Sequence, residues 1–259
     1  MSDSDAILLP DASPPAPPVL TEGGGRGRLS VAQALGPQGP FAARIPGYQP
    51  RDPQVRMAEA VEQALAEKGL LLVEAGTGTG KTYAYLVPAL LSGKKTIVST
   101  GTRNLQDQLF HRDLPMVRQL LGLPVRTALL KGRSNYLCPY RLQQHLEEGE
   151  LESRQVVHDL HRVAAWANKT QMGDIAELID IAEDSPVWPL VTSTADNCLG
   201  QECPKLSDCP LMKAREKAAE AELIVVNHHL FFADKALKDR GFGDLLPEVD
   251  AVIFDEAHQ

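Results

Sequence analysis

Glu74-Ala75-Gly76-Thr77-Gly78-Thr79-Gly80-Lys81-Thr82 follows the apolar run Leu70-Leu71-Leu72-Val73. That order predicts a strand, a glycine loop and a helix. Glycines leave backbone N–H groups free to converge on phosphate oxygens, because no side chain blocks close approach. In the pattern G-x-x-x-x-G-K-[ST], Lys81 reaches the β- and γ-phosphates of ATP and the Thr82 hydroxyl holds Mg²⁺, while the helix starting there adds its positive dipole end. Ala75 stands where the pattern has its first glycine, and a methyl group is tolerated there if the backbone torsion is ordinary. Residues 75–82 are therefore the candidate nucleotide loop.

A second stretch completes the first. Ala251-Val252-Ile253-Phe254 reads as an apolar strand leading into Asp255-Glu256-Ala257-His258. A carboxylate at the C-terminal end of a strand, facing the phosphate loop, completes the Mg²⁺ shell in P-loop enzymes, which assigns Asp255 to the metal. Glu256 is then placed to orient and deprotonate the attacking water. Upstream, Asp52-Pro53 predicts a helix start running toward Lys68, with Val55, Ala58, Val61, Ala64 and Leu65 on one face. Gln54 lies in its first turn, and a glutamine amide can pair with adenine N6 and N7. It reads equally as a solvated helix start.

Between these motifs, Thr96–Thr100 and Thr127–Lys131 read as strands. Thr100 and Thr102 at the first strand's end are candidates for holding a nucleic-acid backbone, with helix capping by Thr102 as the alternative. Lys131, Arg133 and Tyr136 after the second are placed to grip phosphate and stack a base. Leu223–Val226 is a further strand, and a core or capping role for His228 is favoured over chemistry.

Composition bounds the rest. The chain has 259 residues, 43% apolar, and a net charge of −8, so binding to nucleic acid must come from local basic patches and not from the overall field. No signal-peptide pattern or membrane-length apolar run is visible, which predicts a cytoplasmic protein. Residues 1–40 hold seven prolines and six glycines. Such a segment buries too little surface to offset its ordering entropy, so residues 1–44 are expected to be a disordered leader.

Four cysteines, Cys138, Cys198, Cys203 and Cys209, are spaced C-x59-C-x4-C-x5-C between the two nucleotide motifs. In an intracellular protein such a set points to metal ligands more than to disulfides. Spacing alone leaves the metal open. One isolated cysteine departs from paired zinc knuckles and mildly favours a thiolate-held iron–sulfur cluster.

The loop Ala75–Thr82, the segment Ser99–Leu109 and Asp255–His258 resemble the first motor domain of superfamily 2 helicases. With its four cysteines the chain is similar to the iron–sulfur DNA helicases of the XPD and DinG group. Residues 131–138, 188–194, 225–231 and 254–259 resemble the YoaA branch of the DinG family, a likeness covering Ile45 to Gln259.

The resemblance implies an α/β RecA-like P-loop motor domain, mainly parallel sheet, with a helical iron–sulfur insertion. Residues 45–137 and 210–259 would form the motor domain and residues 138–209 the insertion. It also implies ATP, Mg²⁺ and a 4Fe-4S cluster held by the four cysteines, with Gln54 reading adenine. Single-stranded and forked duplex DNA are the implied partners, unwinding 5′ to 3′ the implied activity, and repair or replication proteins further partners. Arg133, Tyr136, Lys205 and Arg215 become candidates for strand contact in a pore lined by the insertion. The cluster reads as a staple for an insertion with no obvious core. A P-loop ATPase that moves no DNA and a metal-stapled single-strand-binding module remain as alternatives.

Helicases of this type use a second motor domain, absent from this sequence, to supply an arginine finger. The chain alone is therefore expected to hydrolyse ATP very slowly even with DNA. Steady turnover comparable to that of a two-domain relative, in a phosphate-release assay, contradicts this.

Overall fold

A computed structural model describes residues 29–148, 153–239 and 245–258. Residues 1–28, most of the expected leader, and Gln259 lie outside the described residues. Order begins well before Ile45. Helices α1 (Val31–Leu35) and α2 (Pro40–Arg44) bury Val31, Ala34, Leu35 and Phe41 completely. The Ser30 hydroxyl accepts from the Gln33 N–H while the Gln33 side chain accepts from the Ser30 N–H, a capping box that closes α1. The expected leader thus ends earlier than residue 44, because four apolar side chains and a capped turn outweigh the proline and glycine content around them.

Helix α3 (Asp52–Glu67) buries Ala58, Val61 and Leu65 on the expected face, and α4 (Lys81–Ser92) follows the glycine loop. The chain then alternates strand and helix: β1 (Thr96–Thr100), α5 (Arg103–Gln108), a wide π turn over Leu109–Asp113, α6 (Leu114–Leu121) and β2 (Thr127–Leu129). Helices α7 (Pro139–Glu148), α8 (Arg154–Ala167) and the short α9 (Trp188–Val191) lie between Cys138 and Cys198. Helix α10 (Pro210–Glu220), β3 (Leu223–Asn227), α11 (His228–Asp239) and β4 (Ala251–Phe254) complete the chain.

The four strands pair in parallel in the order β2-β3-β1-β4. Alternate residues face opposite layers. Val98, Leu129 and Val225 pack on one side with α1, α3, α4 and α6, whereas Ile97, Leu130, Ile224 and Val226 pack on the other with Ala218 of α10 and Leu246. This is the α/β, parallel-sheet architecture expected of a RecA-like domain.

Three further expectations about the fold differ from the structure. Leu70–Val73 is not a strand: Leu70 and Leu72 stand almost fully in solvent, and β4 pairs only with β1. An apolar run becomes a strand only when a neighbour's backbone pairs with it, and no described strand lies alongside this one. The strand expected over Thr127–Lys131 ends at Leu129. The segment from Leu137 to Val191, for which no core is obvious in the sequence, has one of its own, with Leu137, Leu142, Leu160, Val163, Ile181, Val187, Trp188 and Val191 buried together.

Phe41 is fully buried, with its ring 5.8 Å from Tyr48 and 5.5 Å from Tyr83. Phe41→Ala is expected to destabilise the domain by about 3–5 kcal/mol in urea unfolding, the scale for deleting a buried aromatic side chain. A loss below about 1 kcal/mol would mean that α2 does not belong to the core.

Candidate functional site

In a parallel sheet every strand ends at the same edge. The C-terminal end of β4 delivers Asp255 and Glu256 there, and the Asp255 N–H continues the ladder by donating to the Ser99 carbonyl at 2.8 Å. The glycine loop meets them. Lys81 Nζ lies 3.0 Å from Glu256 Oε1, and the Tyr85 hydroxyl, one helical turn after Lys81, donates to Asp255 Oδ2 at 3.0 Å. Residues 175 and 170 positions apart in sequence thus share one site.

Burial pushes the Asp255 carboxyl above its ordinary pKa, and the Glu256 charge adds to this; the Tyr85 hydrogen bond and the Lys81 charge oppose it. Glu256 has φ +58°, the left-handed region that non-glycine residues rarely occupy. Such local strain is a feature of functional sites.

The loop is open where a ligand would enter. A Cβ on Gly76 or Gly78 would meet nothing within 4 Å. Gly80 differs: its φ is +81°, and a Cβ there would lie 2.0 Å from Gln54 Nε2. Gln54 is buried, donates to the Gly80 carbonyl at 3.0 Å and accepts from the Tyr48 hydroxyl at 3.2 Å. Its amide braces the loop, and reading adenine requires these bonds to exchange. Arg51 donates to the Gly78 carbonyl, and Thr79 Oγ1 donates to the Gly76 carbonyl at 2.6 Å within the loop.

The four cysteines are unpaired and half-buried, and all of them line one cavity of about 170 Å³ together with Arg133, Lys205 and Arg215. Burial raises the Cys138 thiol above its ordinary pKa. Among the described residues no group of three His, Cys, Asp or Glu is arranged to hold a single metal ion.

The nucleic-acid candidates fare unevenly. Thr100 is 1% exposed, its hydroxyl donating to the Thr102 carbonyl, and Thr102 caps α5 by accepting from the Leu105 N–H at 3.2 Å. Helix capping, the alternative reading, is what the Thr102 hydroxyl does. Tyr136 is 3% exposed, its hydroxyl accepting from the Lys131 N–H, and burial pushes its pKa up to about 12. It packs and cannot stack a base. Lys131 is buried too, 2.7 Å from Asp107 and 2.6 Å from Asp174, so its charge joins α5 to the segment that carries Asp174. Arg133 keeps partial exposure. His228 Nδ1 lies 2.7 Å from Ser99 Oγ in the core, and Asn227 caps α11 by accepting from the Leu230 N–H.

Comparison with known proteins agrees with this geometry. The DEAD/DEAH box helicase profile matches residues 56–197. The chain belongs to the DEAD/DEAH box helicase family. It is 53% identical over 229 residues to the ATP-dependent DNA helicase YoaA of Haemophilus influenzae, covering 88% of this chain and 36% of that protein. It is 56% identical over 223 residues to the Escherichia coli protein of the same name, covering 86% and 35%. The 3'-5' exonuclease DinG of Bacillus subtilis is 34% identical over 218 residues, covering 83% and 23%. The chain thus spans about a third of the length of the YoaA helicases that it matches.

Sequence reasoning missed Tyr85 and the Lys131–Asp107–Asp174 cluster. Tyr85 had a signal, since i and i+4 from Lys81 share a helix face; Asp107 and Asp174 had none. Gly80→Ala is expected to weaken ADP binding at least about tenfold in calorimetry, because the new methyl displaces Gln54. Unchanged affinity would show that the Gln54 brace is dispensable.

Proposed function

We propose that this chain is the nucleotide-binding part of an ATP-dependent, iron–sulfur DNA helicase. That enzyme would act in the cytoplasm on single-stranded and forked duplex DNA, unwinding 5′ to 3′ during repair or replication. The observation that carries the reading is the meeting of Lys81 and Thr82 with Asp255 and Glu256 at one sheet edge, each group at the end of a rigid element.

Lys81 trades its contact with Glu256 for the β- and γ-phosphates, which frees the Glu256 carboxylate to orient and deprotonate water. Thr82 and Asp255 offer a hydroxyl and a carboxylate, hard oxygens that suit Mg²⁺. Bound there, the ion would neutralise phosphate charge. Gly76, Gly78 and Gly80 direct N–H groups at the same phosphates.

The cysteines fit an iron–sulfur cluster. Four free thiols around one cavity form a soft donor set of the kind that holds iron–sulfur clusters. Arg133, Lys205 and Arg215 would offset the negative charge of four thiolates. Arg133, Lys205 and Arg215, all partly exposed, are the remaining candidates for a DNA phosphate.

Two measurements test this. Chain purified without oxygen should carry about four irons and as many sulfides, lost in Cys203→Ser; zinc in their place overturns the cluster. Lys81→Ala should abolish the ATP response of single-strand binding while leaving DNA affinity itself unchanged in fluorescence anisotropy. No ATP response in the parent chain would favour a plain DNA-binding module.

A further inference from the structure

Tyr85 lies at the junction of the two motifs and belongs to neither. It sits in the second turn of α4, three residues after Thr82, so the two hydroxyls share a helix face. Its side chain is 3% exposed, enclosed among Ala84, Leu86 and the rest of the α4 core layer. Its hydroxyl donates to Asp255 Oδ2 at 3.0 Å.

We propose that Tyr85 is a positioning residue for Mg²⁺, its buried hydroxyl holding Asp255 by Oδ2 so that Oδ1 stays free for the metal. The proposal rests on the assignment of Asp255 to magnesium given above.

The hydrogen-bond inventory explains the arrangement. A phenol has one O–H to donate and lone pairs to accept with. The donor goes to Asp255 Oδ2, which leaves Oδ1 unclaimed by Tyr85. Without the phenol, Asp255 can rotate about its side-chain torsions. The bond also crosses from α4 to the residue that follows β4, so it fixes Asp255 against the helix that carries Thr82. Partners one shell away from a metal ligand change metal affinity about 10–100-fold when removed.

Tyr85→Phe tests this with the ring volume retained. ADP binding to the whole 259-residue chain is measured by calorimetry in EDTA and across a Mg²⁺ series, with a thermal melt alongside. The expected result is unchanged affinity in EDTA and a Mg²⁺ midpoint raised about tenfold or more. An unshifted midpoint overturns the proposal and leaves the nucleotide site standing. Affinity lost equally with and without Mg²⁺, or a variant that does not fold, assigns Tyr85 a packing role and overturns it as well. If the parent chain shows no Mg²⁺-dependent ADP binding, the nucleotide reading falls and takes this proposal with it.

Discussion

Parallel pairing of β1, β3 and β4 is the constraint on which the site depends. Because these strands run the same way, Thr100, Asn227 and Asp255 all emerge at one edge, and crossover helices must return on the sheet faces. Register makes this quantitative: Thr100 is opposite Asn227, and Ser99 is opposite both Val226 and Phe254. The Ser99 carbonyl then catches the Asp255 N–H, which fixes the first residue after β4 before any side chain acts. A one-residue slip would turn Val98 and Val225 away from the α3 and α4 layer and move Asp255 off Tyr85.

The same sheet leads into the cysteine-bearing segment. Lys131, just past β2, is buried between Asp107 of α5 and Asp174. Removing one partner of such a buried cluster leaves charge uncompensated, which makes the junction stiff although the cluster adds little net stability. Backbone bonds reinforce it, from the Leu137 N–H to the Gly173 carbonyl and from the Cys138 N–H to the Val191 carbonyl. Cys138 is therefore fixed against Val191 of α9, while Cys203 and Cys209 follow short 3-10 turns that line the same cavity.

Much of this was legible in the sequence because it is local. The glycine loop, the four-residue box after β4, and strands β1, β3 and β4 each announce themselves within ten residues. The rest depends on partners distant in the chain. Leu70–Val73 is apolar enough for a strand, yet apolarity says only that burial is favourable and not that a pairing edge is present. Residues 31–44 were masked by the prolines and glycines around them, although Ser30 and Gln33 spell a capping box. Lys131 and Tyr136 read as groups turned toward a ligand; their burial follows from Asp107 and Asp174, which no spacing rule connects. Gln54 was recognised as part of the site, whereas its bond to Gly80 depends on a left-handed glycine that sequence does not reveal.

The central claim is that the glycine loop and the Asp255–Glu256 box form one ATP site, in which Lys81 is held by Glu256 until phosphate displaces it. Glu256→Gln removes that internal competitor and leaves the side-chain shape intact. Binding of Mg²⁺ and a non-hydrolysable ATP analogue, measured by calorimetry on parent and variant, should be tighter in the variant by up to about fivefold, the scale of a partly exposed ion pair. Equal or weaker binding in the variant would contradict the account, because Glu256 would then not compete with phosphate for Lys81.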